Sequence, residues 1–230
     1  MMELIRMPLF GILLSIAAFE IGIFIQKKTR VSLLNPLLIA VLGIMGLLAL
    51  TGIPYEAYNQ GGQYIHFMLG PATVILAVPL YRQLDLLKRN LVPILGGITV
   101  GCVTAITSVI VLSRLFDLEE SISISMIPKS VTTPIGIEVS RQIGGIPSVT
   151  VALIVVTGIF GAVAGPTVCR LFRVKEPMAV GTALGTASHA LGTTKAMELG
   201  ETQGAMSSLS IGVAGLITVF LAPLLMGLLM

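Results

Sequence analysis

Long uncharged runs dominate this sequence. Residues 33–52, 91–113, 148–169 and 205–229 hold no Asp, Glu, Lys or Arg, and residues 7–26 hold only Glu20. A helix needs ~20 mostly apolar residues to cross a bilayer, and each run supplies about that many. A sixth run covers 65–81, after a loop over 53–63 with no basic residue. Only 11% of the chain is charged and 55% is hydrophobic, whereas soluble domains carry roughly 25% charged residues. Such a surface has to meet lipid, which excludes a cytosolic enzyme or a disordered regulator. Fourteen basic against eleven acidic residues leave a net charge of +3, too little for a phosphate-tracking face, so nucleic acid is not a partner.

The first run ends at Lys27, Lys28 and Arg30. A signal peptide would have a shorter apolar core and a small-residue cleavage site, so the run reads as a retained helix. Two further stretches are moderately apolar but broken at the centre. Residues 121–146 carry Pro128, Lys129, Ser130, Thr132, Thr133 and Pro134, and residues 177–200 carry Ser188, His189, Thr193 and Thr194. Irregular backbone at membrane depth is tolerated only where protein or a watery cavity surrounds it. Both stretches are therefore expected to be re-entrant or discontinuous helices.

Loop charges set the expected topology. Lys27, Lys28 and Arg30 place the end of the first span inside and the N-terminus outside. Arg82, Lys88 and Arg89 lie inside again, and Asp117, Glu119 and Glu120 outside. Arg170, Arg173 and Lys175 fall inside only if 121–146 dips into the membrane and returns. Whether 177–200 crosses or returns is left open by the charges. The fold class expected is an all-α polytopic membrane protein of about six full spans plus two discontinuous or re-entrant segments. It forms a single transmembrane domain over 1–230, with weak internal repeats at 65–115, 121–169 and 177–229. Repeated units of this size are a feature of secondary transporters. GxxxG pairs at Gly97–Gly101 and Gly161–Gly165 suggest close helix crossings.

Several residues are candidates for chemistry. Pro134 suits the first turn of a helix and Thr133 its cap. The half-helix they open would aim free N–H groups and a positive dipole end at a polar break, a site for a carboxylate. Lys129, Ser130, Thr132 and Thr133 would add donors. In the second stretch Ser188, His189, Thr193 and Thr194 supply hydrogen bonds and Lys195 supplies charge. His189 titrates near neutrality and suits a proton-coupled step; the plainer reading is a buried histidine bonded to backbone. Arg141 joins the anion-binding candidates, although it sits three residues from Glu138 and the two can simply pair. Glu138 and Glu20 are further proton-coupling candidates, because ionisable groups inside a membrane are costly. Cys102 and Cys169 form no CxxC or Cys/His cluster, so no metal or other cofactor is expected. The absence of GxSxG, HExxH, GxGD and P-loop patterns argues against an enzyme.

The strings FMLGPATVILAVPLYRQ (67–83), SVTTPIGIEVS (130–140), GIFGAVAGP (158–166) and GTASHALGTTKAMELGETQGAMSSL (185–209) resemble the LrgB/CidB family of membrane proteins. The resemblance implies a place in the bacterial inner membrane and a smaller LrgA/CidA-type membrane protein as partner, in a homo- or hetero-oligomer. Related plastid proteins that fuse both parts move glycolate and glycerate, and bacterial pairs are linked to pyruvate uptake. The resemblance thus implies small 2-oxo or 2-hydroxy monocarboxylates as cargo. Its other implication is an antiholin-like regulator of membrane permeability and murein hydrolase activity, with no cargo of its own. Two polar breaks inside the membrane favour the carrier.

Overall fold

The computed structural model describes residues 7–29, 34, 36–68, 71, 81–82 and 84–229. All regular structure among them is α-helical, and the chain divides into two compact units, Met1–Ile75 and Leu76–Met230.

In the first unit, α1 (Pro8–Thr29) packs against α2 (Pro36–Thr51) and α3 (Tyr55–Phe67). The contact of α1 with α3 is close: a Cβ on Gly11 would lie 3.0 Å from Gly61 Cα. Tyr58 OH sits 2.8 Å from Ser15 Oγ beside it. Helix α3 corrects the loop expected over 53–63. Its polar residues Glu56, Asn59, Gln60 and Gln63 are exposed, while Ala57 and Gly61, four apart, face inward. A narrow apolar stripe on a polar helix is easily mistaken for loop composition. The run at 33–52 forms the 16-residue α2, shorter than a full crossing needs. Most of the run at 65–81 lies outside the described residues.

The second unit holds α4 (Leu84–Arg89), α5 (Leu91–Leu115), α6 (Glu120–Met126), α7 (Thr133–Ile143), α8 (Pro147–Leu171), α9 (Pro177–Leu199) and α10 (Glu201–Leu229). Among the described residues α1, α5, α8 and α10 are long and apolar enough to cross a membrane.

The two broken stretches are both helical hairpins. Helices α6 and α7 reverse about a bend at 127–132, and the residues that meet across it converge on the bend. Ser125 and Ser140 are both held by Thr150 Oγ1, at 2.9 Å from Ser125 O and 2.7 Å from Ser140 Oγ. Nearer the bend, a Cβ on Gly136 would lie 3.4 Å from Pro128 O. Pro134 in the first turn favours the start of α7, and Gly144, at φ 85°, ends it in the left-handed conformation that glycine adopts without strain.

Helix α9 turns back on itself at Ser188 and His189, whose φ,ψ are −137°,18° and 42°,−134°. Its first arm runs alongside α10 in the same direction, with Gly181 against Gln203 and Gly185 against Ser207. Its second arm runs the opposite way: Thr193 Oγ1 returns to Ser207 Oγ at 2.7 Å, and Met197 packs on Gly204. Across the bend Gly192 closes against Leu184 O.

Helix α8 is the spine on which the hairpins meet, and they approach it from opposite ends. Thr150 near its start binds Ser125 and Ser140, and Ile154 packs on Gly136. Ile154 O also accepts from the His189 ring; then Gly158 faces His189 and Leu191, Gly161 faces Ser188, and Gly165 faces Leu184. The tips thus converge near the middle of α8. Helix α5 shows the same order. Ile94, Ile98 and Cys102 cluster with Ala205, Met206 and Ala214 early in α10. Ile106, Val109 and Ile110 cluster with Ile127, Val139 and Ile143 of the first hairpin and with Ala222.

The glycines of α8 leave no room for side chains. A Cβ at Gly158 would lie 2.6 Å from His189 Nε2, and one at Gly161 would overlap Ser188 Oγ. Overpacking a close contact costs roughly 1–3 kcal/mol. Gly161→Val should therefore lower the melting temperature of the detergent-solubilised protein by several degrees or abolish folding. Gly212→Ala, with nothing within 4 Å of its new Cβ, should leave it unchanged or slightly raised. Equal melting temperatures for the two would contradict this packing.

Candidate functional site

A cavity of about 660 Å³ runs along the first arm of α9. One wall is α5, with Gly97 and Gly101; the facing wall is α9, with Thr182 and Thr186. A Cβ at Gly97 would lie 3.9 Å from Thr182 Cγ2 and one at Gly101 2.9 Å from Thr186 Cγ2, so the glycines of α5 let the threonine methyls of α9 seat closely on it. Asn90 and Glu176 stand at one end, by the base of the α9 hairpin, and Lys129 and Ser130 at the other, on the bend of the α6–α7 hairpin. Beside them lies a separate small space of about 10 Å³ among Ser130, Val131, Thr186, Thr218 and Cys102, which shares Ala105, Ser130 and Thr186 with the cavity lining. That is room for at most about one water molecule.

Lys129 and Glu176 are the ionisable residues of the lining. The Glu176 carboxylate is occupied in capping α9, accepting from Ala179 N–H at 2.8 Å. Lys129 Nζ donates to Ser130 Oγ at 3.3 Å, and among the described residues no carboxylate pairs with it. A half-buried lysine with no carboxylate partner among the described residues is a candidate for anion binding. Thr186 is the second unfinished group. It is 7% exposed, and its Oγ1 has no hydrogen-bond partner. A buried hydroxyl left so costs about 1–3 kcal/mol.

The other candidates are spread more widely. Thr132 and Thr133 are half-buried at the start of α7. The helix begins one residue earlier than the proline suggests, so Thr132 is its cap residue, in extended conformation and with no side-chain cap bond. Ser188 is buried over Gly161. His189 is buried with Nε2 3.0 Å from Ile154 O; a carbonyl only accepts, so Nε2 carries the proton. Thr193 is fully buried and donates to His189 O at 3.1 Å. These three residues brace the α9 hairpin and do not line the cavity.

Thr194 is exposed and bonds Ala190 O at 3.1 Å. Lys195 pairs with Glu198 at 2.7 Å, and Arg141 with Glu138 at 3.5 Å, both i,i+3 pairs on exposed faces. Glu20 lines a separate space of about 390 Å³ in the first unit, with Ser15 and Tyr58. Among the described residues no His, Cys, Asp or Glu cluster suits a metal ion.

Thr186 fell within the broken stretch read from the sequence but was given no role there, and Thr182 was not singled out. A signal existed: they are four apart, as are Gly97 and Gly101, which face them. Two matching four-residue spacings place a polar stripe against a small-residue stripe.

Comparison with known proteins supplies the family. The LrgB-like family matches residues 15–228. The antiholin-like protein LrgB of Bacillus subtilis is 38% identical over 223 residues, 96% of each chain. A B. subtilis protein called uncharacterized protein YxaC is 38% identical over 213 residues, 93% of each chain. The antiholin-like protein LrgB of Bacillus mycoides is 39% identical over 221 residues, 95% of this chain and 96% of its own. No solved structure matches. The family match spans nearly the whole sequence and the relatives align almost end to end, so this chain belongs to the LrgB-like family of multi-pass membrane proteins.

Proposed function

We propose that this chain is a membrane carrier for small monocarboxylates of the pyruvate, glycolate and lactate kind, coupled to protons and working with a small LrgA/CidA-type partner. The observation that carries the reading is the meeting of two oppositely directed helical hairpins beside a cavity whose inner end holds Lys129. Units of opposite topology, with broken helices at their interface, are how many secondary transporters bind cargo near the bilayer midplane. The stretches 121–169 and 177–229 each supply one hairpin and one long helix.

In this reading the α6–α7 hairpin is re-entrant from the outside and α9 from the cytoplasm, because Arg170, Arg173 and Lys175 flank the base of α9. The cavity mouth at Glu176 and Asn90 then faces the cytoplasm, and the packed α6–α7 hairpin seals the other side. Lys129 and Ser130 hold the carboxylate. Alternating access follows from moving one hairpin and its long helix against the other. The coupling proton falls to His189, Glu138 or Glu20, of which His189 stands at a hairpin tip.

The name antiholin-like, carried by the Bacillus relatives, favours a second reading, a regulator of membrane permeability and murein hydrolase activity without cargo of its own. That role needs spans and helix contacts, and makes no use of an uncompensated lysine at the end of a cavity.

Reconstituted with its partner, the chain should accumulate labelled pyruvate, glycolate or lactate in proteoliposomes under a proton gradient. Lys129→Gln should lower uptake by about tenfold or more, the worth of ~1.4 kcal/mol, with an unchanged melting temperature. Uptake absent from every preparation, or indifferent to Lys129, would sink the carrier reading, whereas antiholin behaviour should survive the substitution. Orientation has its own check. Ala183 is exposed on the cavity wall. Ala183→Cys, in a chain whose Cys102 and Cys169 are replaced by alanine, should react with a membrane-impermeant maleimide from the cytoplasmic face. Cargo should slow the reaction. Labelling from the outside only would reverse the topology.

A further inference from the structure

Six threonines of the described helices, Thr29, Thr51, Thr99, Thr150, Thr193 and Thr194, return their hydroxyl to the carbonyl four residues back. That is the ordinary resting place for a helical threonine in apolar surroundings. Thr186 does not use it. Its methyl points at Gly101, where a Cβ would lie 2.9 Å away. A β-branched side chain in a helix has few χ1 choices, so a methyl seated on α5 fixes where the hydroxyl goes. The hydroxyl is buried and unpartnered, and Thr186 lines both the large cavity and the small space beside it, as does Ser130. Ser130 Oγ already accepts from Lys129 Nζ, which leaves its own proton to donate.

We infer that Thr186 is a specificity-determining residue of this site. Its hydroxyl hydrogen-bonds an oxygen on the carbon next to the cargo's carboxylate, while Lys129 and Ser130 take the carboxylate. This rests on the carrier reading above. The small space beside Thr186 and Ser130 has room for nothing much larger than one oxygen, which limits the second group to a hydroxyl or oxo substituent. When the cargo lacks that oxygen, the threonine stays buried and unpaired. Sites built to pair a substrate oxygen discriminate strongly against analogues without it.

The test compares lactate with propionate, which differ by that one oxygen, in proteoliposomes holding the full chain and its partner. The wild type should prefer lactate by about tenfold or more. Thr186→Val keeps the shape and removes the hydroxyl. It should lower lactate uptake about tenfold while propionate uptake stays within about twofold, and Thr186→Ser should restore the preference. If Thr186→Val lowers both acids equally, or neither, the inference is overturned and the carrier reading stands. If the wild type carries neither acid, the carrier reading falls. Thermal shift of the purified chain then decides for Thr186: stabilisation by lactate over propionate that Thr186→Val abolishes upholds its role, and equal or absent shifts end it.

Discussion

Inside a bilayer every backbone N–H and C=O has to find its partner within the protein, and this fold depends on how it meets that demand at the middle of α8. Two helical hairpins stop short there, so their bends would expose unpaired groups to lipid anywhere else. Ile154 and Gly158 bring the bends together. Ile154 packs on Gly136 of one hairpin and accepts through its carbonyl from His189 of the other. The arms are satisfied in the same economical way. Thr150 closes the α6–α7 hairpin with bonds to Ser125 and Ser140, and Thr193 ties the return arm of α9 to α10 through Ser207. In membranes such bonds average only ~0.6 kcal/mol each. Their combined effect is to fix where the irregular backbone sits.

His189 shows how tightly that position is specified. At φ 42° and ψ −134° it occupies a region that favours glycine, at a cost of about 1–3 kcal/mol for a residue with a Cβ. Glycine would remove the strain but also the ring, which reaches Ile154 O and fills the notch left by Gly158. The strained residue is kept because its side chain anchors one hairpin to the spine at the level where the other docks. The chain concentrates its least ordinary backbone at the level of the cavity's inner end.

Much of this was legible in the sequence, for identifiable reasons. Long apolar runs announced the helices, since lipid demands length and apolarity together. Pro134 and the outlying charges at Arg170, Arg173 and Lys175 pointed to a break at 121–146. Lys195 and Arg141 were harder, because spacing shows that an acidic neighbour lies three residues away but not that the pair is exposed. Helix α3 was hidden by its polar composition. The break at 188–189 was legible in the Ser, Thr and His at the centre of 177–200, but its direction was not, because neither glycine nor proline marks the turn. Thr186 was invisible for a deeper reason: an unpaired hydroxyl is a property of what surrounds a residue, and Gly101, Ser130 and Thr218 come to it from three other parts of the chain.

The same convergence explains why the cavity has a cation at its inner end. Along α9 the residues facing α10 and α8 are small or buried, and Thr182 and Thr186 face the glycines of α5. The glycines let the threonine methyls seat closely, and the threonines give the cavity polar edges. The α6–α7 bend then adds a cation at its inner end. Each contribution is weak alone: a GxxxG pair is a packing signal, two threonines are ordinary helix surface, and a lysine at a bend is often a solvated end. Brought together where the backbone is already irregular, they leave one positive charge and one hydroxyl short of partners. In the proposed carrier reading a small anion bearing a second oxygen meets both needs at once, whereas a protein serving only as a structural counterpart would gain stability by replacing Lys129 and Thr186 with apolar residues.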